Sequence, residues 1–263
     1  MITNNISLIG REQCIGCMAC INQCPINCIS SSDLRTREGS FPVIDDTKCI
    51  NCGRCLKVCP ANSNTIDDDN DYKRKMAISY NTNNDERFRS SSGGVFAALA
   101  RYFLKNGFIV YGATIDNKGF VKHVGINNTG DLNKLCGTKY VQSDISCCYS
   151  EILDELKNGR KILFSGTPCQ IVAIKNYLGL FCKTSSIDDN IFFVDLVCHG
   201  VGNAWMWNCY LKELPKDVDA SLFNFRNKAT GWEHSSFSIV HNGKIKLYKR
   251  DKNPYIKAYS ENL

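Results

Sequence analysis

The chain has no run of about eighteen apolar residues, which excludes a helix that spans a bilayer. Its first residues, Met1 to Gly10, lack the basic start, apolar stretch and small-residue cleavage site of an export signal. A cytoplasmic location is therefore expected, and in a reducing compartment disulfides are rare. No basic and aromatic pattern of a nucleic-acid module occurs, so no nucleic-acid partner is expected. Nor is there a sugar-binding pattern. With 43% apolar and 22% charged residues, a disordered or collagen-like chain is excluded as well.

Cysteine is what the chain has in excess. There are 16 among 263 residues, and nine of them fall within the first 59. Without disulfides, metal or redox chemistry is the leading use for so many thiols. Two runs carry the signal: Cys14-x2-Cys17-x2-Cys20-x3-Cys24-Pro25 and Cys49-x2-Cys52-x2-Cys55-x3-Cys59-Pro60. Each copy has the spacing of a two-cluster bacterial ferredoxin. Three thiolates at x2 intervals wrap a tight loop around three corners of one 4Fe-4S cubane. The fourth lies past a turn, where proline directs the chain away, and reaches the other cubane. Cys14, Cys17, Cys20 and Cys59 are thus assigned to one cluster, and Cys49, Cys52, Cys55 and Cys24 to the second. Gly16 and Gly53 stand where the backbone approaches a cluster and takes unusual dihedrals. Paired C-x2-C motifs also build zinc sites, but duplicated Cys-Pro endings argue against zinc. Cys28 is read as a packed thiol, and Pro25 to Lys48 as a loop insertion that leaves ligation untouched.

Residues 1–64 form this cysteine-dense module, and 65–88 read as a linker and entry segment with the acidic run Asp67 to Asp71. From residue 89 to 263, helix-like and strand-like segments alternate, which argues for helices on a mainly parallel sheet. Val95, Leu99 and Tyr102, with Phe96 and Phe103, share one stripe at helical spacing. Phe108–Ile115, Lys161–Phe164 and Ile191–Val197 read as strands; Ser150–Lys157 and Asn203–Leu214 read as helices. Thr167 with Pro168 starts a further helix. Beyond Leu222, Asn242-Gly243 between the runs Ser236 to His241 and Lys244 to Tyr248 predicts a β-hairpin with a type I′ turn. The expected fold class is α+β, α/β-like: a small two-cluster ferredoxin-type domain, then a larger mixed α/β domain ending in the hairpin, for which the resemblance given below implies a flavin-type domain.

Net charge is +6. Four of those charges lie between Lys244 and Leu263, a ribbon that is either simply solvated or a docking surface for an acidic partner or anionic cofactor. Within the larger module, Arg89-Ser90-Ser91-Ser92-Gly93-Gly94 precedes a helix; backbone amides there suit an anion, although a plain N-cap accounts for the same residues. Cys169 falls in the first turn of a helix after a strand, a position that suits a ligand or nucleophile. Cys198 lies just past a strand end, where open α/β sheets bind ligands.

Taken together, RSSSGGVFAALA (89–100), VYGATID (110–116), LCGTKYVQSD (135–144), LFSGTPCQI (163–171), DLVCHGV (195–201) and NFRNKATGW (224–232) resemble the coenzyme F-420 hydrogenase/dehydrogenase beta-subunit family, in the form with an N-terminal two-cluster ferredoxin domain. The resemblance implies an electron-transfer subunit with FAD between the clusters and a two-electron acceptor, F-420 among them as substrate coenzyme. It implies pyrophosphate contacts from Ser91, Ser92, Gly93 and Gly94, and flavin-ring or ribityl contacts from Thr138, Lys139, Tyr140 and Gln142. Cys169 and Cys198 then resemble ligands of a third 4Fe-4S cluster near the flavin, with His199 as a neighbouring donor. Family members continue past this length, so a C-terminally truncated chain, without the co-ligands of that cluster, is expected. Val201-Gly202-Asn203 replaces the proline-bearing turn expected after Cys-His-Gly.

The expected function is an iron–sulfur flavoprotein oxidoreductase subunit that works with a redox partner protein and a two-electron coenzyme or small substrate. The alternatives are a non-catalytic electron-transfer or partner-docking subunit, or a reductase of a polysaccharide or cell-envelope pathway.

Overall fold

The computed structural model describes residues 3–32, 41–62, 76–181, 189–198 and 200–261. The elements in chain order are α1 (Ala19–Gln23), β1 (Ile29–Ser31), β2 (Pro42–Ile44), α2 (Arg54–Val58), α3 (Asn84–Arg89), α4 (Val95–Lys105), β3 (Ile109–Ile115), β4 (Val121–Ile126) and α5 (Leu132–Leu135). They continue with α6 (Cys148–Lys157), β5 (Ile162–Gly166), α7 (Pro168–Gly179), β6 (Ile191–Asp195), α8 (Ala204–Lys212), β7 (Asn224–Asn227), β8 (Ser236–His241), β9 (Lys244–Tyr248) and α9 (Pro254–Glu261). The mixture of helices and sheets is α+β, as expected. No helix among the described residues is long and apolar enough to cross a membrane.

The chain folds as two compact units that are interleaved in sequence. One joins Met1–Ala77 to Asp144–Val197, the other Ile78–Ser143 to Cys198–Leu263. This differs from the linear division at residues 64 and 89; that first boundary and the run Asp67 to Asp71 lie outside the described residues. The physical reason is area. Helices of five residues such as α1 and α2 cannot bury a core alone, so they pack on α7, and α1 packs on α6 as well.

In the first unit, β5 is buried along its whole length and pairs in parallel with β6, Ile162 opposite Ile191 through Gly166 opposite Asp195. Helix α7 follows β5 directly. Thr167 and Gln170 form a capping box, with the Thr167 N–H donating to Gln170 Oε1 at 3.0 Å, and Pro168 occupies the first turn. On the cysteine side, Asn176 Nδ2 donates to the Val58 carbonyl at 3.3 Å. The Pro25 to Lys48 spacer is more than a loop: it holds β1 and β2, paired antiparallel.

In the second unit, β3 and β4 form an antiparallel pair, so the strands are not mainly parallel as expected. The predicted hairpin is present, with β8 antiparallel to β9. Asn242 and Gly243 take φ of 51° and 69°, the left-handed pair that a type I′ turn needs. Helix α4 corrects the expected stripe. It buries Ala97, Ala100 and Leu104, while Val95, Leu99 and Tyr102 are exposed. Small alanines let the helix axis approach β3, and the bulkier face is left outward. The core of this unit gathers on Trp207, whose ring meets Tyr255 at 4.8 Å, Phe225 at 5.3 Å and Tyr210 at 5.7 Å. Its Nε1 donates to the Gly119 carbonyl at 2.8 Å.

Candidate metal centre

The two cysteine motifs fold into one repeated backbone. Gly16 and Met18 in the first take φ of 64° and 62°; Asn51 and Gly53, at the matching positions of the second, take 51° and 72°. Glycine is thus placed at only one of the two left-handed positions in each copy. Met18 bears the strain there, about 1–2 kcal/mol for an L-residue. Each motif then runs into its five-residue helix, and that helix ends at the fourth cysteine, Cys24 or Cys59, in extended conformation. Turns close behind both: the Asn27 N–H donates to the Cys24 carbonyl at 3.3 Å and the Asn62 N–H to the Cys59 carbonyl at 3.1 Å.

Cys14, Cys17 and Cys20 line a cavity of about 340 Å³, and the thiol that joins them is Cys59 of the other motif. Its remaining wall is largely apolar, with Ile6, Ile15 and Met18, and it includes Pro42, Val43 and Ile44 of β2. The spacer read as a bystander therefore walls this site, although it adds no thiol to it. As thiols, Cys17, Cys20 and Cys59 resist ionisation. Burial pushes Cys17 up to about 12, with the charges of Cys59 and Cys14 acting the same way. Burial likewise raises Cys20 and Cys59. A cationic iron core offsets that cost, because ligating thiols are bound deprotonated. Four thiols from two motifs around one cavity are the donor set that a 4Fe-4S cubane takes.

Around the second set, Cys28 Sγ lies 3.5 Å from Cys24 Sγ, and the Cys28 N–H donates to Cys24 Sγ at 3.3 Å. Cys28 is buried, as a packed thiol should be, and burial followed by the Cys24 contact pushes it up to about 12. Although burial acts upward on Cys24, the N–H groups of Cys28 and Ile26 pull it down. Asn5 Nδ2 donates to Cys49 Sγ at 3.6 Å. Cys55 is buried and Cys52 exposed. Asn5, Cys28 and β2 are participants that the spacing did not single out; the extra cysteine four residues after Cys24 was the available signal.

The residues expected at a flavin lie in the second unit, apart from Cys169. Ser91 Oγ accepts from the Thr138 N–H at 2.7 Å, so two of them meet. Gly94 takes φ of 77° as the N-cap of α4. A Cβ on Gly93 would crowd the Ser79 carbonyl at 3.1 Å, so local packing already requires both glycines. The Ser92 carbonyl accepts from Lys228 Nζ at 2.6 Å, and the same ammonium reaches the Arg87 carbonyl at 2.7 Å. Lys139 is turned inward. Its Nζ donates to the carbonyls of Ala113, Cys136, Lys134 and Leu135 at 2.8, 3.0, 3.3 and 3.3 Å, and burial pushes it down to about 8. Tyr140 stacks on Tyr259 at 4.4 Å, and the Gln142 N–H donates to the Gly202 carbonyl at 3.0 Å. Within Val201-Gly202-Asn203, the stretch that replaces the expected proline-bearing turn, a Cβ at Gly202 would run into the Tyr140 carbonyl and the Tyr255 hydroxyl.

Cys169, in the first turn of α7, lies 3.1 Å from Thr167 Oγ1. Cys198 is exposed and accepts from the Gly200 N–H at 3.4 Å. His199 and Cys182 lie outside the described residues. His123 is a buried histidine, with Nδ1 3.0 Å from Ser143 Oγ.

No curated protein matches the chain. It is similar to a chain of the F420-reducing [NiFe] hydrogenase complex from Methanosarcina barkeri, solved as a xenon derivative. Identity is 18% and TM-score 0.47, over 69% of this chain and 60% of that one. Residues 13–63 match the family described as 4Fe-4S dicluster domain, and residues 41–87 match another of the same description. The two matches overlap on Cys49, Cys52, Cys55 and Cys59, so they describe one eight-cysteine unit. The chain therefore carries a 4Fe-4S dicluster domain over residues 13–63.

Proposed function

We propose that the chain is an iron–sulfur flavoprotein oxidoreductase subunit, cytoplasmic, that relays electrons between two 4Fe-4S clusters and a flavin serving a two-electron acceptor. The observation that carries the electron-transfer part is the cavity shared by Cys14, Cys17, Cys20 and Cys59. It brings together four thiols from both motifs, as the crossed ligation of a dicluster domain requires. The second cluster is assigned to Cys49, Cys52, Cys55 and Cys24.

The flavin part rests on the motif resemblance over residues 89–232. A flavin takes single electrons from clusters and passes on a hydride. Ser91 to Gly94 would hold its pyrophosphate at the start of α4, where the helix dipole favours an anion. Lys228 braces that loop through two carbonyls, and the Thr138 N–H holds the Ser91 hydroxyl. Thr138, Tyr140 and Gln142 would line the ring or ribityl chain. Lys139 serves a different end in this reading: it ties the 134–136 turn to β3. F-420 is one acceptor of suitable chemistry, and a redox partner protein supplies or removes electrons at the clusters. Anaerobic purification with iron, sulfide and flavin measured on the intact chain tests this; about eight irons with no flavin retained would reject the flavoenzyme and leave the electron carrier.

One observation favours a second reading, a non-catalytic electron-transfer and docking subunit. Strand β9 is largely exposed and lies at the edge of the order β7-β8-β9, with Lys244 and Lys246 on it. Turnover by the isolated chain with a chemical reductant would exclude that reading, and turnover only with a partner would support it.

A further inference from the structure

The two motifs repeat one backbone, but the polar side chains around them are not repeated. At the first motif the donor is Tyr149, in the first turn of α6 and outside the dicluster segment. Its side chain is fully buried, and its hydroxyl donates to the Cys17 carbonyl at 2.7 Å. The ring is held by Tyr177 of α7, at 5.1 Å between centroids. At the second motif the donor is Asn5, from the other direction in the chain. It is 4% exposed, and its Nδ2 donates to Cys49 Sγ at 3.6 Å and to Asn51 Oδ1 at 3.2 Å. Asn5 Oδ1 meanwhile accepts from the Ser7 N–H at 3.0 Å, which fixes the direction in which the amide points.

Resting on the two-cluster reading above, we propose that these residues set the two cluster potentials separately, Tyr149 acting on the cluster of Cys14, Cys17, Cys20 and Cys59, and Asn5 on that of Cys49, Cys52, Cys55 and Cys24. Neither is a ligand; both are positioning residues. On reduction each cluster accepts one electron from an external donor, no atom is transferred, and its negative charge grows by one. A hydrogen bond donated to a ligand sulfur or its peptide group is stronger to the more negative state. It therefore stabilises the reduced form and raises the potential, one of the levers by which proteins tune these clusters. Because α6 also belongs to the first unit's core, the packing of that helix sets how firmly the phenol is presented to Cys17.

The test is a reductive titration of the anaerobically reconstituted full chain with dithionite and mediators, followed by electron paramagnetic resonance. Wild type must hold about eight irons and titrate as two clusters; failing that, the two-cluster reading falls and not this inference alone. Tyr149→Phe keeps the ring and removes the donor, so one cluster moves to lower potential while the other stays. Asn5→Leu, nearly isosteric and uncharged, removes the amide donor, so the other cluster moves down. In a Cys59→Ala background, which retains only the second cluster, Tyr149→Phe is silent and Asn5→Leu still shifts it. Should Tyr149→Phe lose iron, 3-fluorotyrosine at position 149, a stronger donor, must raise the same potential. Unmoved potentials, or both variants moving the same cluster, overturn the proposal.

Discussion

The crossed ligation is open to a decisive count. Cys59 is 8% exposed and lines the cavity with Cys14, Cys17 and Cys20, although 38 residues of chain separate it from Cys20. Cys59→Ala removes one of four ligands from that cluster, so a chain with about eight irons falls to about four. Pairs of substitutions then read which thiols share a cluster. Cys14→Ala with Cys59→Ala strikes the same cluster twice and still leaves about four irons. Cys49→Ala with Cys59→Ala strikes both clusters and leaves close to none. If each motif instead enclosed its own cluster, the two double variants would exchange results. Iron and acid-labile sulfide, measured after anaerobic reconstitution at matched far-UV circular dichroism, provide the assay. Near-zero iron in the Cys14/Cys59 pair together with about four in the Cys49/Cys59 pair would refute the reasoning.

Three further outcomes are expected. Lys139→Met leaves four carbonyls without their shared donor and should cost about 1–3 kcal/mol in denaturant unfolding. Since burial lowers Lys139 to about 8 from its usual 10.5, between those values the unfolded chain holds a proton that the folded chain has shed. Wild-type stability should therefore rise with pH from about 8 to 10.5, and the variant should lack that rise. Trp207→Ala should destabilise the second unit by about 3–5 kcal/mol, through the cavity it opens and the lost bond to Gly119, read as a lower melting temperature. The Cys148 contact lowers Cys147 to about 7 and raises Cys148 in turn, so brief alkylation at pH 8 should label Cys147 and spare Cys148, as mass spectrometry of the peptide would report.

Signals carried by adjacent residues were legible in the sequence. The Asn242-Gly243 turn located β8 and β9 to the residue, and Thr167-Pro168 located the start of α7. Helix α4 was found but its buried face was not. Ranking residues by apolarity favours Val95, Leu99 and Tyr102, whereas close approach to β3 selects the alanines. Strands β1 and β2 escaped notice because three-residue strands have no periodicity to read; their ladder exists only once the partners meet. Lys139 suggested a flavin contact by type and neighbourhood; its inward turn uses three carbonyls of the adjacent 134–136 turn, and only the Ala113 carbonyl of β3 comes from a remote segment.

By itself the sequence determined the chemistry: eight cysteines in two spaced runs dictate two iron–sulfur clusters, because x2 loops and Cys-Pro exits are properties of contiguous chain. The tertiary structure alone decided what surrounds them. It brought α6 and α7, from beyond residue 144, onto the cysteine helices, walled one cavity with β2, and set Tyr149 and Asn5 against different motifs. Local spacing is written in neighbouring residues, whereas burial and hydrogen-bond partners come from segments 44 positions apart for Asn5 and Cys49 and 132 apart for Tyr149 and Cys17. Those partners, rather than the motif, govern how each cluster holds its electron.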